Sequence, residues 1–219
     1  MKRLLIKITF LISGMSSLLA LTPNDYPQSL PSIGCVSVLH QDDFYKDEKT
    51  LFQENIFFDE EMKYHNWELP ECFDKDQFRE EFLLLKESGG AVPITSSGIK
   101  TSEDKATAAA ASSSSSSQVI ILEGILIFED LFLTSQMTER YFLDLSKDKC
   151  FARRKERDYF PPEPEGYFDK YYWPSYLDIK QNIADRVSDG SIEVTYLDSE
   201  NDSIENLLAR LTDDIAGIF

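Results

Sequence analysis

The chain alternates short continuous apolar runs with stretches in which apolar residues recur every third or fourth position. Leu4 to Ile12 is largely apolar and predicts a buried first strand running into a Ser-Gly turn. Cys35 to Leu39 predicts a second buried strand that ends at the polar cluster His40-Gln41-Asp42-Asp43. Residues 46–61 are charged and aperiodic, the pattern of a loop with a short helix. From Asp74 to Glu87 the positions Phe78, Phe82 and Leu85 recur at helical spacing, and Asp74 is placed to cap that helix. Val119-Ile120-Ile121-Leu122 is the kind of run that a strand covered on both faces requires, and it ends in Glu123-Gly124. Tyr141 to Leu145 predicts another strand, followed by a basic helix over about 147–157. Tyr176, Ile179, Ile183 and Val187 mark one face of a helix over 175–187. Glu193 to Leu197 predicts a last strand, and Ile204, Leu207, Leu208, Leu211 and Ile215 mark a C-terminal amphipathic helix. Strands alternating with helices predict one α/β domain with a mainly parallel sheet flanked by helices. In such sheets ligands sit at the carboxyl ends of the strands, which singles out the polar residues just after each one.

Two stretches interrupt this order. Residues 89–118 hold four consecutive alanines and six consecutive serines with almost no large apolar side chains. They cannot bury enough surface to offset their ordering entropy, so they predict a disordered Ala/Ser-rich surface insertion. The N-terminus begins Met1-Lys2-Arg3 and continues apolar to Leu21, with small residues near a cleavage-like point. That is the outline of a signal peptide and competes with the strand reading.

Composition narrows the function classes. The 219 residues carry 22 Lys+Arg against 39 Asp+Glu, a net charge of −17. So acidic a chain is a poor general binder of nucleic acid or of anionic membrane, both of which need a basic face. A local basic cluster can still bind a small polyanion. Cys35, Cys72 and Cys150 are odd in number and form no zinc pattern with His40 and His65, which suits a reducing compartment.

Candidate chemistry lies at the strand ends and in one basic segment. Asp42, Asp43, Glu123 and Asp198 each follow an apolar strand, where a carboxylate can accept a proton or hold hydrated magnesium. Any one of them is more simply a solvated carboxylate. Residues 147–157 hold six basic side chains and only two acids. At helical spacing Arg153 and Arg157 share a face, while Arg154 points about 100° away. Arginines clamp phosphate oxygens, although a basic helix paired with surrounding acids explains the same charges. The aromatics after it, and Asn66-Trp67-Glu68, either pack the core or wall a pocket for a flat heterocycle whose ribose Glu68 would bind.

His40-Gln41-Asp42-Asp43-Phe44-Tyr45-Lys46, Asn66-Trp67-Glu68 and Ile120-Ile121-Leu122-Glu123-Gly124 are followed by Cys150-x-x-Arg153-Arg154-x-x-Arg157-x-Tyr159-x-Pro161-Pro162. Gly166-Tyr167-Phe168-Asp169 then leads to Trp173-Pro174-x-Tyr176. In this order the blocks, over about residues 33–89 and 118–200, resemble nicotinamide riboside kinases. Uridine kinases share the P-loop kinase architecture and the Asp-Asp-Phe-Tyr element. The resemblance implies a P-loop kinase-like fold and ATP- and Mg2+-dependent phosphorylation of the 5′-hydroxyl of nicotinamide riboside in NAD salvage. Nicotinic acid riboside is an alternative substrate, and the cytoplasm is the implied compartment, with the nucleus as a further one. Asp42 matches the general base beside the metal, and Glu123 the carboxylate that helps hold magnesium. Asp42, Asp43, Phe44, Tyr45, Trp67, Glu68, Arg154 and Tyr159 fall on substrate-contacting positions. By the same resemblance Trp67 and Tyr159 would sandwich the nicotinamide ring, and Glu68 stands where the family often has an aspartate on the ribose hydroxyls. Arg153 and Arg157 resemble lid arginines on ATP phosphates, within a lid and substrate region over 147–173.

The phosphate loop departs from the family. Such kinases need G-x-x-x-x-G-K-[ST] after the first strand, whose backbone, lysine and hydroxyl hold the phosphates and magnesium. Here Ile12-Ser13-Gly14-Met15-Ser16-Ser17 runs directly into Leu18-Leu19-Ala20, with the Gly-Lys-Thr part missing. Gly14, Ser16 and Ser17 are what remains for ATP in this atypical region over 1–32. The register on both sides of the gap favours an incorrectly joined coding sequence over a degenerate kinase, and the same alignment favours the strand over the signal peptide at the N-terminus. The alternatives are a pseudokinase that binds a riboside without transferring phosphate, a uridine kinase-like enzyme, and a secreted acidic α/β protein.

Overall fold

The computed structural model describes residues 4–9, 33–88, 117–157, 159 and 161–218. Gly14, Ser16 and Ser17 lie outside the described residues, as does the insertion up to residue 116.

The strands are β1 (Leu4–Thr9), β2 (Ile33–His40), β3 (Phe58–Asp59), β4 (Tyr64–His65), β5 (Ser117–Glu123), β6 (Glu139–Asp144) and β7 (Thr195–Asp198). The helices are α1 (Glu48–Gln53), α2 (Lys75–Ser88), α3 (Leu131–Ser135), α4 (Lys147–Lys155), α5 (Trp173–Ser188) and α6 (Ile204–Ile218). Among the described residues five strands form one parallel sheet in the order β2-β5-β1-β6-β7. Leu4–Thr9 is its central strand, so the N-terminal apolar run does form a strand, and residues 10–12 of the expected segment lie outside the described residues.

The apolar run in β5 is buried on both sides, and alternation along the strand divides it between two cores. Val119 and Ile121 pack with Tyr141, Leu143 and Leu197 against Leu207, Leu211 and Ile215 of α6. Ile120 and Leu122 pack on the other face with Leu39, Phe78, Phe82 and Leu85 of α2. Each of these side chains contributes about 1.5–3 kcal/mol through burial, which is why the sheet layer is fixed by this strand. A third core joins Ile125, Phe128 and Phe142 to Tyr176, Ile179 and Ile183 of α5. Asp74 caps α2 by accepting from the Gln77 amide at 2.9 Å, as its sequence position predicts.

Several boundaries differ from the sequence expectation. The last two residues assigned to the insertion, Ser117 and Gln118, are the start of β5, paired with Ile33 and Cys35. The basic helix stops at Lys155, capped by Glu156, and the Arg157 amide closes a tight turn onto the Arg154 carbonyl at 3.3 Å. Arg157 is therefore outside the helix and does not share a face with Arg153. The two-residue ribbon β3–β4, the five-residue α3 and a widened turn over Phe168–Tyr172 are too short to leave a periodic signal. Among the described residues no helix is long and apolar enough to cross a membrane. Cys72 and Cys150 are free and buried.

Candidate functional site

Parallel pairing sets His40 of β2 directly beside Glu123 of β5, at the carboxyl ends of adjacent strands. His40 Nδ1 lies 2.7 Å from Glu123 Oε2, and Glu123 is buried. That hydrogen bond raises the imidazole above its ordinary value. After His40 the chain turns through a 3-10 segment, Gln41–Phe44. Gln41 is buried and its Oε1 accepts from the Leu126 amide at 2.9 Å, which locks the turn onto the loop after β5.

Gly124 permits that approach. A Cβ there would meet Gln41 Cβ at 2.3 Å and Gln41 Oε1 at 2.5 Å. Gly124→Ala is expected to push the turn carrying Asp42 away from β5. Overpacking of this kind costs about 1–3 kcal/mol, which lowers Tm by roughly 2–10 °C in a chain of this size. An unchanged melting temperature would show that the turn does not rest on Gly124.

Asp42 opens to solvent across the mouth of a cavity. Its carboxyl is nevertheless pushed up to about 6, first by loss of hydration and then by repulsion from Glu123, with Arg157 pulling the other way. Two carboxylates that repel each other suit a shared cation. Magnesium keeps several waters and takes one or two carboxylates plus phosphate oxygens. The donor set of Asp42 and Glu123 fits that pattern. Among the described residues no group of three or more His, Cys, Asp or Glu side chains could enclose a metal by itself.

The cavity has a volume of about 350 Å³. That is the lower end of the range for small-molecule pockets, roughly 300–1,000 Å³. Several segments distant in sequence converge on it. The turn after β2 supplies Asp42 and Tyr45, the stretch after β4 supplies Trp67 and Glu68, α4 supplies Arg154, and the segment beyond it supplies Arg157 and Tyr159. The Tyr45 ring lies tilted against Phe73, with centroids 3.9 Å apart, and makes an edge-to-face contact with Trp67 at 5.8 Å.

Arg154 is the most heavily partnered group in the site. It is buried, and its guanidinium lies 3.3 Å from Glu68 Oε1 and 2.6 Å from Glu163 Oε2. The guanidinium also sits 4.0 Å from the Tyr172 ring centroid and 5.0 Å from that of Tyr159. These carboxylates hold it firmly protonated against the cost of burial. Glu68 is buried too, and loss of hydration pushes it up to about 7 although Arg154 and the Tyr167 hydroxyl favour its ionised form.

Most of the residues singled out from sequence are brought together here, and the exceptions have physical reasons. Phe44 is 4% exposed and packs edge-on against Phe78 at 5.0 Å, in the core behind the turn rather than on the cavity. Asp43 is exposed on the outside of the same turn. Arg153 points the other way, donating to the Ser199 carbonyl at 3.0 Å beyond β7. Arg157 lines the cavity and donates to the Tyr159 hydroxyl at 3.3 Å. His40, Glu163 and Tyr167 have no role in the sequence reading. His40 and Tyr167 stand in its quoted blocks, but a strand-end histidine and one of several aromatics are explained equally well by solvation and core packing.

No protein-family model matches the chain. Nicotinamide riboside kinase 1 of Mus musculus is 29% identical over 216 residues, which cover 98% of this chain and 95% of that protein. Nicotinamide riboside kinase 2 of Mus musculus is 29% identical over 181 residues, 81% of this chain and 80% of that protein. A uridine kinase of Histophilus somni is 30% identical over 129 residues, 58% of this chain and 55% of that protein.

Proposed function

For this distant member of the nicotinamide riboside kinase and uridine kinase-like family, we propose phosphorylation of the 5′-hydroxyl of nicotinamide riboside at the expense of ATP. The observation that carries the reading is the single cavity in which Asp42, Trp67, Glu68, Arg154, Arg157 and Tyr159 meet. Asp42 accepts the proton of the 5′-hydroxyl as the oxygen attacks phosphorus. Trp67 and Tyr159 hold the pyridinium ring, Tyr45 backs Trp67, and Glu68 accepts from the ribose hydroxyls. Arg154, already paired with Glu68 and Glu163, fixes that carboxylate and contacts the substrate from the same side. Asp42 and Glu123 would hold magnesium, which supplies positive charge next to the transferring phosphoryl group. Arg157 and what remains of the phosphate loop at Gly14, Ser16 and Ser17 would bind ATP, while Arg153 is held away at the Ser199 carbonyl. The missing Gly-Lys-Thr favours a second reading, in which the chain binds the riboside without transferring phosphate.

Binding depends least on the phosphate loop and tests the pocket directly. Stacking and cation–π attraction on one good aromatic face give about 1–2 kcal/mol. Trp67→Ala is expected to weaken nicotinamide riboside binding roughly 5- to 30-fold without unfolding the chain. Calorimetry that finds unchanged affinity in a folded variant would remove Trp67 from the site.

A further inference from the structure

Trp67 and Tyr159, two aromatic walls of the cavity, belong to segments far apart in the chain, and Tyr64 reaches from one segment to the other. Tyr64 lies in β4, three residues before Trp67, and Pro161 lies two residues after Tyr159. The Tyr64 hydroxyl donates to the Pro161 carbonyl at 3.2 Å, a contact across 97 positions, and both residues line the cavity. Proline has no amide hydrogen, so its carbonyl is the backbone group through which it can be held. Loss of hydration, and then the nearby Glu163 charge, push the Tyr64 phenol up to about 12, so it keeps a proton to donate at neutral pH.

The base from which Tyr64 reaches is fixed. Antiparallel pairing sets Asp59 of β3 directly opposite Tyr64. Asp59 is buried, accepts from the Glu61 and Met62 amides at 2.9 Å, and is bound by the Lys170 ammonium and the Tyr171 hydroxyl. The Tyr64 ring also meets the buried Tyr167 edge-on at 5.2 Å. On the other wall, Arg157 donates to the Tyr159 hydroxyl at 3.3 Å and the Arg154 guanidinium lies 5.0 Å from the ring centroid. Those contacts orient Tyr159 on its own segment, whereas the Tyr64 hydrogen bond crosses to the opposite one. Spacing matters because a gap of about 0.5–1 Å already forfeits a quarter to a half of the attraction between packed atoms. We infer that Tyr64 is a positioning residue that sets the spacing of the Trp67 and Tyr159 walls, and with it the affinity for a flat ring, by tying Pro161 to the β3–β4 ribbon. The inference rests on the riboside reading.

The test is a double-mutant cycle, read by calorimetry with nicotinamide riboside on the full chain. Tyr64→Phe keeps the ring that packs on Tyr167 and removes only the hydroxyl. It is expected to weaken binding roughly 3- to 10-fold. Tyr159→Ala removes one wall and is expected to weaken binding roughly 5- to 30-fold. With that wall gone its spacing no longer counts, so the double variant is expected to bind no more weakly than Tyr159→Ala alone. A double variant in which the two losses multiply would show that Tyr64 acts by another route and would overturn the inference. Unchanged affinity in Tyr64→Phe, or in Tyr159→Ala, would overturn it as well. In each of these cases the wild-type chain still binds the riboside, and the riboside reading stands. A wild-type chain that does not bind nicotinamide riboside would overturn both.

Discussion

The 219-residue chain is expected to phosphorylate nicotinamide riboside at least about 10³-fold more slowly than the same chain with Gly-Lys-Thr inserted between Ser17 and Leu18. The lysine and the hydroxyl of a phosphate loop act where charge develops in the transition state. A preorganised group of that kind in a dry site is worth about 3–4 kcal/mol. Two such losses, even when they overlap, exceed a factor of roughly 10³. The other residues proposed for transfer are in place: Asp42 feels the Glu123 charge, and Arg157 lines the cavity. The assay is ATP-dependent formation of nicotinamide mononucleotide by both proteins at saturating magnesium. Robust turnover by the unmodified chain would mean that phosphate is held by another loop. No gain on insertion would favour the binding protein without transferase activity.

In any active form, Asp42→Asn is expected to lower turnover about 10²-fold or more while riboside binding changes far less. Asparagine preserves the shape of the turn, since the Gln41 anchor on Leu126 is untouched. What disappears is the proton acceptor and one of the two negative charges on which a cation would sit. Asp42 suits the role because loss of hydration and Glu123 push its carboxyl up to about 6, closer to neutrality than an ordinary aspartate. A cation shared with Glu123 would lower it again and would keep Asp42 ionised at neutral pH. Steady-state rates settle the matter, and near-normal turnover in Asp42→Asn would leave Asp42 a solvated strand end.

The sheet was legible in the sequence because burial on two faces leaves a plain signal. Val119 to Leu122 could be nothing other than an interior segment, and the 3.6-residue period of Phe78, Phe82 and Leu85 follows from one buried helix face. The carboxyl ends of β2 and β5 could be named for the same reason, which brought Asp42 and Glu123 into view. The partnerships inside the cavity were not legible. Arg154 meets Glu68 across 86 positions and Tyr167 meets Trp67 across 100, separations on which no local periodicity bears. Spacing also misplaced Arg157, because the helix that would have carried it ends at Lys155. Phe44 stood in a polar block that resembles a substrate-binding stretch, yet an apolar ring on a tight turn packs inward wherever a partner such as Phe78 is available.

Because the phosphate loop affects transfer more than riboside binding, the central claim is tested most directly without ATP. Titration calorimetry of the unmodified 219-residue chain would compare nicotinamide riboside with uridine, the substrate named for its other relatives. The aromatic walls at Trp67 and Tyr159 and the buried carboxylate of Glu68 suit a cationic ring on a ribose, so the riboside is expected to bind at least about 10-fold more tightly. Uridine binding as tightly or more tightly, or no binding of nicotinamide riboside at millimolar concentration, would contradict the account.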